Sequence, residues 1–403
     1  MWGRLYLGRE TGRVVIVLFF SNPKGIVALR LVEEFTGSES GSKLSRMSFE
    51  TDIVIAQKAS PNARNASIAI TSAVARSGTA TMKAIYLEER GGSGTLVAGV
   101  IPRPEPQADE VLVKVCATTV MPSELQWFTT FHLPFGEPRA FPIVLGHEFS
   151  GVVESLGAKV NGFTVGEDVY GLIDWFVNGA QAEYCLAKAT ALAQKPQSIG
   201  HVQAAVVPIS ALTAWQGLFE RLNLRRGERI LIHGAAGGVG SFAVQLARCC
   251  GAHIIATVSS GDFEFVRSLG ADELIDYRTT RFEEVVKEVD VVFDAVGGET
   301  LERSWPLVAN GGRVVTVATQ SNGASAHRAP NALMMVRPEG SQLAQIARMI
   351  DAGEIRSYVG TIFPLAAARL AYARATQGFR RGKIVLRVAE SYAPQDARAI
   401  THN

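Results

Sequence analysis

The stretch Gly227-Glu-Arg-Ile-Leu-Ile-His-Gly-Ala-Ala-Gly-Gly-Val-Gly-Ser-Phe-Ala-Val-Gln-Leu-Ala-Arg248 decides the fold of this 403-residue chain. Ile230–Ile232 is a short apolar run of the kind that forms a buried strand. A turn of small residues follows, and then Val239, Phe242, Ala243, Leu246, Ala247 and Cys250 recur at helical spacing. Gly251 stands where a helix takes its C-terminal cap. Strand, glycine turn and helix in this order open a dinucleotide-binding fold. Ala235-x-Gly237-x-x-Gly240 is the corresponding fingerprint with alanine in place of the first glycine, and Ala236, Gly238 and Val239 fill the turn. Without a Cβ, Gly237 lets a pyrophosphate approach the backbone and Gly240 lets the helix close on the strand. The helix N-terminus then offers free N–H groups and partial positive charge to phosphate.

On the C-terminal side of this stretch, strands and helices alternate. Strands are expected at His253–Val258, Glu273–Ile275, Val291–Asp294 and Arg313–Val317, with helices at Asp262–Leu269, Arg281–Val286 and Thr300–Val308. Such alternation implies a parallel sheet covered on both faces. A helix is expected at Ala204–Leu222. Helices at Ser341–Ala352 and Leu365–Ala375 and a strand at Gly382–Val388 return the chain to its first domain. On the N-terminal side, residues 82–204 read as short strands punctuated by glycine and proline, the pattern of a compact β domain, and barrel closure is expected. The expected organisation is therefore 1–81 a poorly ordered extension, 82–205 the first part of a β domain, 206–339 a nucleotide domain, 340–390 the return, and 391–403 a tail.

Net charge is +2 with 19% charged residues, which argues against a nucleic-acid surface. Residues 1–81 hold 10 Lys+Arg against 6 Asp+Glu, leaving 30 against 32 in the remainder. Val14–Phe20 is a candidate strand, seven residues long and too short to span a bilayer. Glu39–Ser45 and Ser60–Thr81 carry too little apolar surface to order themselves. Met82 is expected as the natural start, and Glu33, Glu34, Glu39, Glu50 and Asp52 speak against an organellar presequence. Cys116, Cys185, Cys249 and Cys250 form no C-x-x-C pair, so a reduced, cytoplasmic protein without membrane association is expected.

The organising stretch resembles the quinone oxidoreductase/zeta-crystallin motif of the medium-chain dehydrogenase/reductase superfamily, through Gly227, Glu228, Leu231, Ala235, Ala236, Gly237, Gly238, Gly240, Gln245 and Arg248. Phe141–Gly151, Ala211–Trp215, Phe293–Gly298 and Gly382–Leu386 are further segments similar to that family. The resemblance implies an α/β chain with a GroES-like β-barrel domain and an inserted Rossmann domain, the cofactor lying in the cleft between them. It also implies a homodimer, with the strand around Leu333–Val336 as the expected edge.

Zinc-dependent relatives use a cysteine, a GHE histidine and a later cysteine. Here His147-Glu148 matches the GHE element, but Met121 and Ile209 occupy the two cysteine positions, so no zinc is expected. The second strand ends in Thr257-Val-Ser259-Ser260 rather than in an acid that would repel a 2′-phosphate. NADPH is therefore expected over NADH, with Arg278 as a candidate cation. By resemblance, Thr257 and Ser259 line the adenosine end and Tyr277 flanks the adenine. Ala295, Val296, Val317, Ala318 and Thr319 border the ribose and nicotinamide.

Met121-Pro-Ser-Glu124 stands where related reductases carry Asn-Pro-x-Asp. Glu124, Thr213 and Lys383 are the candidate catalytic residues. Met121, Trp127 and Phe128, with Phe131 and Phe135 nearby, are the candidate wall for a small-molecule electron acceptor. The expected activity is zinc-independent, NADPH-dependent reduction of a quinone or an α,β-unsaturated carbonyl. The alternatives are alcohol dehydrogenation and a non-catalytic NADPH-binding regulatory or structural protein.

Overall fold

The structure, a computed structural model, describes residues 5–10, 13–22, 25–34, 80–318, 332–377 and 381–389. The chain divides into two units, Met1–Ser77 and Gly78–Asn403. In the first, strands β1 (Leu5–Glu10), β2 (Arg13–Asn22) and β3 (Gly25–Glu34) form an antiparallel meander. The expected Val14–Phe20 strand falls within β2, so the segment read as poorly ordered carries strands over residues 5–34. The Gly/Ser-rich stretch Glu39–Ser45, nearly all of Ser60–Thr81 and the tail 391–403 lie outside the described residues.

The second unit begins with β4 (Thr81–Leu87), β5 (Leu96–Pro102), β6 (Glu110–Thr119), β7 (Ile143–Val144), β8 (Glu148–Leu156), β9 (Asp168–Leu172), β10 (Tyr184–Lys188) and β11 (Leu192–Gln194). Helices α1 (His201–Ala205) and α2 (Pro208–Trp215) follow. The single helix expected at Ala204–Leu222 is thus interrupted, because Pro208 lacks an N–H and starts a new helix rather than continuing the old one.

Then come β12 (Arg229–His233), α3 (Gly238–Cys250), β13 (His253–Val258), α4 (Phe263–Leu269), β14 (Glu273–Asp276), α5 (Phe282–Val285), β15 (Val289–Asp294), α6 (Gly298–Ser304) and β16 (Val308–Thr316). Pro306 stands where the expected Thr300–Val308 helix gives way to a 3₁₀ turn. The chain closes with α7 (Gly340–Asp351), β17 (Val359–Pro364), α8 (Ala368–Thr376) and β18 (Lys383–Arg387).

Strands β12–β16 form one parallel sheet in the order β14-β13-β12-β15-β16. Side chains alternate between its faces. Ile230, Ile232, Ile254, Ala256, Val291 and Phe293 enter one core, and Leu231, Ile255 and Val292 enter the other with Phe282. Both faces are buried, which is why β12 reads as an unbroken apolar run. Phe242, Ala243, Leu246 and Ala247 press α3 onto the first core, each large side chain contributing about 1.5–3 kcal/mol of burial.

The β domain has one sheet ordered β11-β9-β8-β6-β18-β17, with β10 also on β6, and a second ordered β5-β4-β7. A backbone bridge between Ala84 and Ala182 connects the two. β18 pairs antiparallel with the end of β6, so the last strand joins the sheet that the first part of the chain built. The chain is therefore a GroES-like domain with a Rossmann-like parallel sheet inserted into it. The expected edge strand at Leu333–Val336 is only a single bridge between Thr316 and Leu333, flanked by hydrogen bonds from Thr316 N to Ala332 O and from Met334 N to Thr316 O.

Two buried bonds tie β-domain side chains to later segments. The Tyr170 hydroxyl donates to Leu343 O at 2.6 Å, and the Trp175 indole donates to Val336 O at 2.9 Å. Replacing Tyr170 with Phe is expected to lower stability by about 1 kcal/mol through loss of this buried bond, read as a lower urea midpoint at unchanged slope.

Candidate cofactor and active site

The site starts where β12 stops. Gly234 takes φ +73°, and Gly237 N donates to Gly234 O at 3.0 Å, turning the chain in three residues. A Cβ at Gly240 would lie 2.1 Å from Gly234 O, so only glycine allows α3 to start this close to the strand. Gly237 is exposed and the first turn of α3 holds no acidic residue, so no carboxylate of that turn competes for the N–H groups at the helix start. Ala235 is buried, while Ala236, Gly238 and Val239 are half-buried around the turn.

The neighbouring strand ends converge here. A Cβ on Gly234 would lie 3.3 Å from Val296 and 3.5 Å from Ala295, which places both beside the turn. Asp294, fully buried, accepts from Val296 N at 3.0 Å, from Gly297 N at 3.0 Å and from Thr316 Oγ1 at 2.7 Å. Thr316 Oγ1 in turn accepts from Ala318 N at 3.2 Å, and Val317 N donates to Asp294 O. One carboxylate thus fixes the loops bearing Ala295, Val296, Val317 and Ala318. Thr319 lies outside the described residues.

After β13, where the resemblance implies the adenosine end, the expectation of free hydroxyls needs correcting. Ser259 does not offer a free hydroxyl, since its Oγ donates to Asp262 Oδ2 at 2.9 Å. A buried carboxylate therefore does stand at the end of β13. It is neutralised from across the chain by Arg381, whose Nε lies 2.7 Å from Asp262 Oδ1 and whose guanidinium packs over the Phe265 ring. Arg278 lies over the exposed Tyr277 ring and gives its backbone N–H to Asp276. Thr257 is buried, its hydroxyl 2.9 Å from His233 Nδ1.

At the opposite end, both oxygens of buried Glu124 are engaged, by Gly146 N at 2.8 Å and His147 Nδ1 at 3.2 Å. Its carboxylate orients the GHE loop instead of facing an open cleft. Burial and the nearby Glu124 charge together push the Tyr372 phenol upward. Thr213 spends its hydroxyl on Ile209 O at 2.6 Å. Lys383 gives its ammonium to Glu148 Oε1 at 2.5 Å. The three candidate catalytic groups are each committed within the protein.

The expected aromatic wall also divides. Trp127 packs edge-on against Trp175 at 5.2 Å and joins Met121 on the main core. Phe128 is 54% exposed and stacks on His132, Phe131 is buried in the β domain, and Phe135 is exposed. Trp127, Trp175 and His147, the last 5.1 Å from Trp175, are the rings that meet. Trp175, Asp294 and Arg381 were not singled out from sequence, whereas Asp262 was visible there as an acid that follows Ser259–Ser260 where related reductases often carry a lysine. Of the three, only Asp294, in the Phe293–Gly298 segment, had a local signal.

The GroES-like alcohol dehydrogenase domain family matches residues 107–210, and a zinc-binding dehydrogenase family matches 269–386. The chain is 31% identical to the mitochondrial NAD(P)H oxidoreductase RTN4IP1 of Mus musculus, covering 70% of this chain and 82% of that one. It is 29% identical to a chloroplast envelope quinone oxidoreductase homolog of Arabidopsis thaliana, covering 75% and 96%. Among solved structures, the quinone oxidoreductase of Coxiella burnetii is similar at TM-score 0.71 and 30% identity, covering 77% of this chain and all of the other. The chain belongs to the medium-chain dehydrogenase/reductase superfamily and is a quinone oxidoreductase-like enzyme. A nicotinamide cofactor fits the open turn at Gly237–Gly240.

Zinc does not fit the donor set. Met121 and Ile209 supply no thiolate, and the Glu148 oxygens are taken by Thr119, Lys383 and Ile209 N. Among the described residues no group of three or more His, Cys, Asp or Glu gathers.

Below the turn, His233 Nδ1 meets Thr257 and Nε2 meets Ser304, each at 2.9 Å. Burial holds its pKa down to about 4, opposed in part by Asp294. Because the folded value lies below the unfolded one, the unfolded chain takes up the proton first as pH falls. Stability is expected to drop by about 2–3 kcal/mol as pH falls from 6.5 toward 4 and to level off below. Denaturant midpoints of wild type and His233→Gln across this range check it, the variant lacking that part of the slope.

Proposed function

We propose that the protein is a zinc-independent, NADPH-dependent oxidoreductase that reduces a quinone or an α,β-unsaturated carbonyl. The observation that carries this reading is the glycine turn and helix start at Gly237–Gly240, with no acidic residue in its first turn, in a unit whose His147 packs on Trp175, itself packed on Trp127. When bound, the cofactor supplies a hydride to an electron-poor acceptor. The residues of the chain bind and orient: the α3 amides face phosphate, the Asp294-pinned loops border the nicotinamide half, and half-buried Trp127, backed by buried Trp175, offers apolar surface to an acceptor ring. An acceptor of this class needs no strong acid, since its product can be protonated by water.

The preference for NADPH rests on Arg381. Its guanidinium cancels Asp262 at the ribose edge and stands ready for a 2′-phosphate. We also propose a homodimer through the segment Leu333–Val336, where exposed Leu333 and Met335 alternate with buried Met334 and Val336. Among the described residues no helix is long and apolar enough to cross a membrane.

NADPH oxidation against a panel of quinones and enones is expected to proceed in chelator-treated enzyme. Oxidation of alcohols that requires added zinc would refute the reading. Tight NADPH binding without turnover of any acceptor would instead favour a binding protein. Arg381→Ala exposes the Asp262 charge and is expected to raise the Kd for NADPH about tenfold while leaving NADH within about twofold. Equal loss for both cofactors would remove Arg381 from 2′-phosphate recognition.

A further inference from the structure

Ser210 lies in the first turn of α2 and is fully buried, yet among the described residues its hydroxyl has no hydrogen-bond partner. Thr213, one turn later, satisfies its own hydroxyl on Ile209 O, so the local helix offers a solution that Ser210 does not use. A buried hydroxyl without a partner is costly, and alanine would fill the same place without that cost. The position of this hydroxyl is specific. A Cβ on Gly238, the first residue of α3, would lie 3.2 Å from Ser210 Oγ, 3.3 Å from Lys383 Cε and 3.6 Å from Lys383 Cγ. An unspent donor and the stem of a lysine thus stand against the helix start that carries free N–H groups.

We propose that Ser210 is a cofactor-binding residue whose hydroxyl donates to the pyrophosphate at the start of α3. The assignment rests on the reading of this turn as the nicotinamide cofactor site. Lys383 gives the arrangement its resting form: the ammonium is held by Glu148, and the stem covers Gly238 and Ser210. An arriving phosphate moves the Lys383 stem aside while the ammonium stays on Glu148, and so uncovers the hydroxyl; cofactor binding then satisfies a donor that the free protein leaves unmatched. The contact is to a group that NADPH and NADH share, so it adds affinity without distinguishing them.

The test compares wild type, Ser210→Ala and Ser210→Cys by titration with NADPH and NADH and by thermal melts with and without cofactor. Ser210→Ala is expected to raise both Kd values by the same factor, about tenfold, and to leave the cofactor-free melting temperature equal or higher. Ser210→Cys, nearly isosteric with a weak donor, is expected to recover part of the affinity. Unchanged Kd values in Ser210→Ala, or a fall in the cofactor-free melting temperature, would overturn the assignment. If wild type binds neither cofactor, the reading of the site fails first, an outcome distinct from failure at Ser210.

Discussion

The buried carboxylate of Glu148 fixes the geometry on which the candidate site depends. Fully buried, it accepts from Thr119 Oγ1 at 2.6 Å, Lys383 Nζ at 2.5 Å and Ile209 N at 2.9 Å. These donors come from β6, from β18 and from the first turn of α2, so two oxygens join the start, the end and the middle of the unit. A carboxylate stripped of water costs several kcal/mol unless such partners replace its hydration. The three segments are therefore held together by the penalty of separating them. Lys383 is drawn over Gly238 by the same bond, and Ser210 and Thr213 are presented from α2. Glu124 repeats the device nearby, clamping Gly146 N and the His147 ring.

Much of the nucleotide domain was legible because its causes are local. A β12 of buried isoleucine and leucine, a turn that tolerates only glycine at 240, and a helix with an apolar stripe lie within twenty-odd residues, and each follows from backbone sterics or periodicity. The expected strand His253–Val258 and the extent of α3 follow the same logic. The interruption at Pro208 was legible in principle, since proline permits a helix start and opposes continuation. The apolar pattern of Ala204–Leu222 outweighed it in the sequence reading.

The end of β13 was only partly legible, because the cation that answers its acid is non-local. It was legible that Asp262 stands three residues after Ser259 in the sequence, but not that it turns back to bind the Ser259 hydroxyl, nor that Arg381 arrives from 119 positions away. Sequence spacing favoured Arg278 as the cation, whereas the fold brings Arg381 to the buried acid. The aromatic run failed for a related reason. Trp127, Phe128, Phe131 and Phe135 lie close in the chain, but a 3₁₀ turn at Pro122–Gln126 and a single helical turn at Phe128–Phe131 send them to different environments. The partner of Trp127 is Trp175, almost fifty residues on, placed by the strand end at Leu172 and anchored through its indole N–H.

The polar groups around the cleft divide into those that build the site and those that remain available to a ligand. His233, Thr257, Ser304, Asp294 and Thr316 lie behind the strand ends with their hydrogen bonds met inside the protein. A fully matched buried network of this kind holds the loop backbone rigid, which a site working through main-chain N–H groups requires, because a displaced amide cannot be replaced by a flexible side chain. The unmatched groups have a different distribution. The α3 amides and the Ser210 hydroxyl converge on the Gly238 turn, while His147 Nε2 is left without a partner beside Trp175. Ser210 Oγ stands unmatched against the Gly238 turn, and the matched network behind the strand ends keeps that turn in place for a ligand.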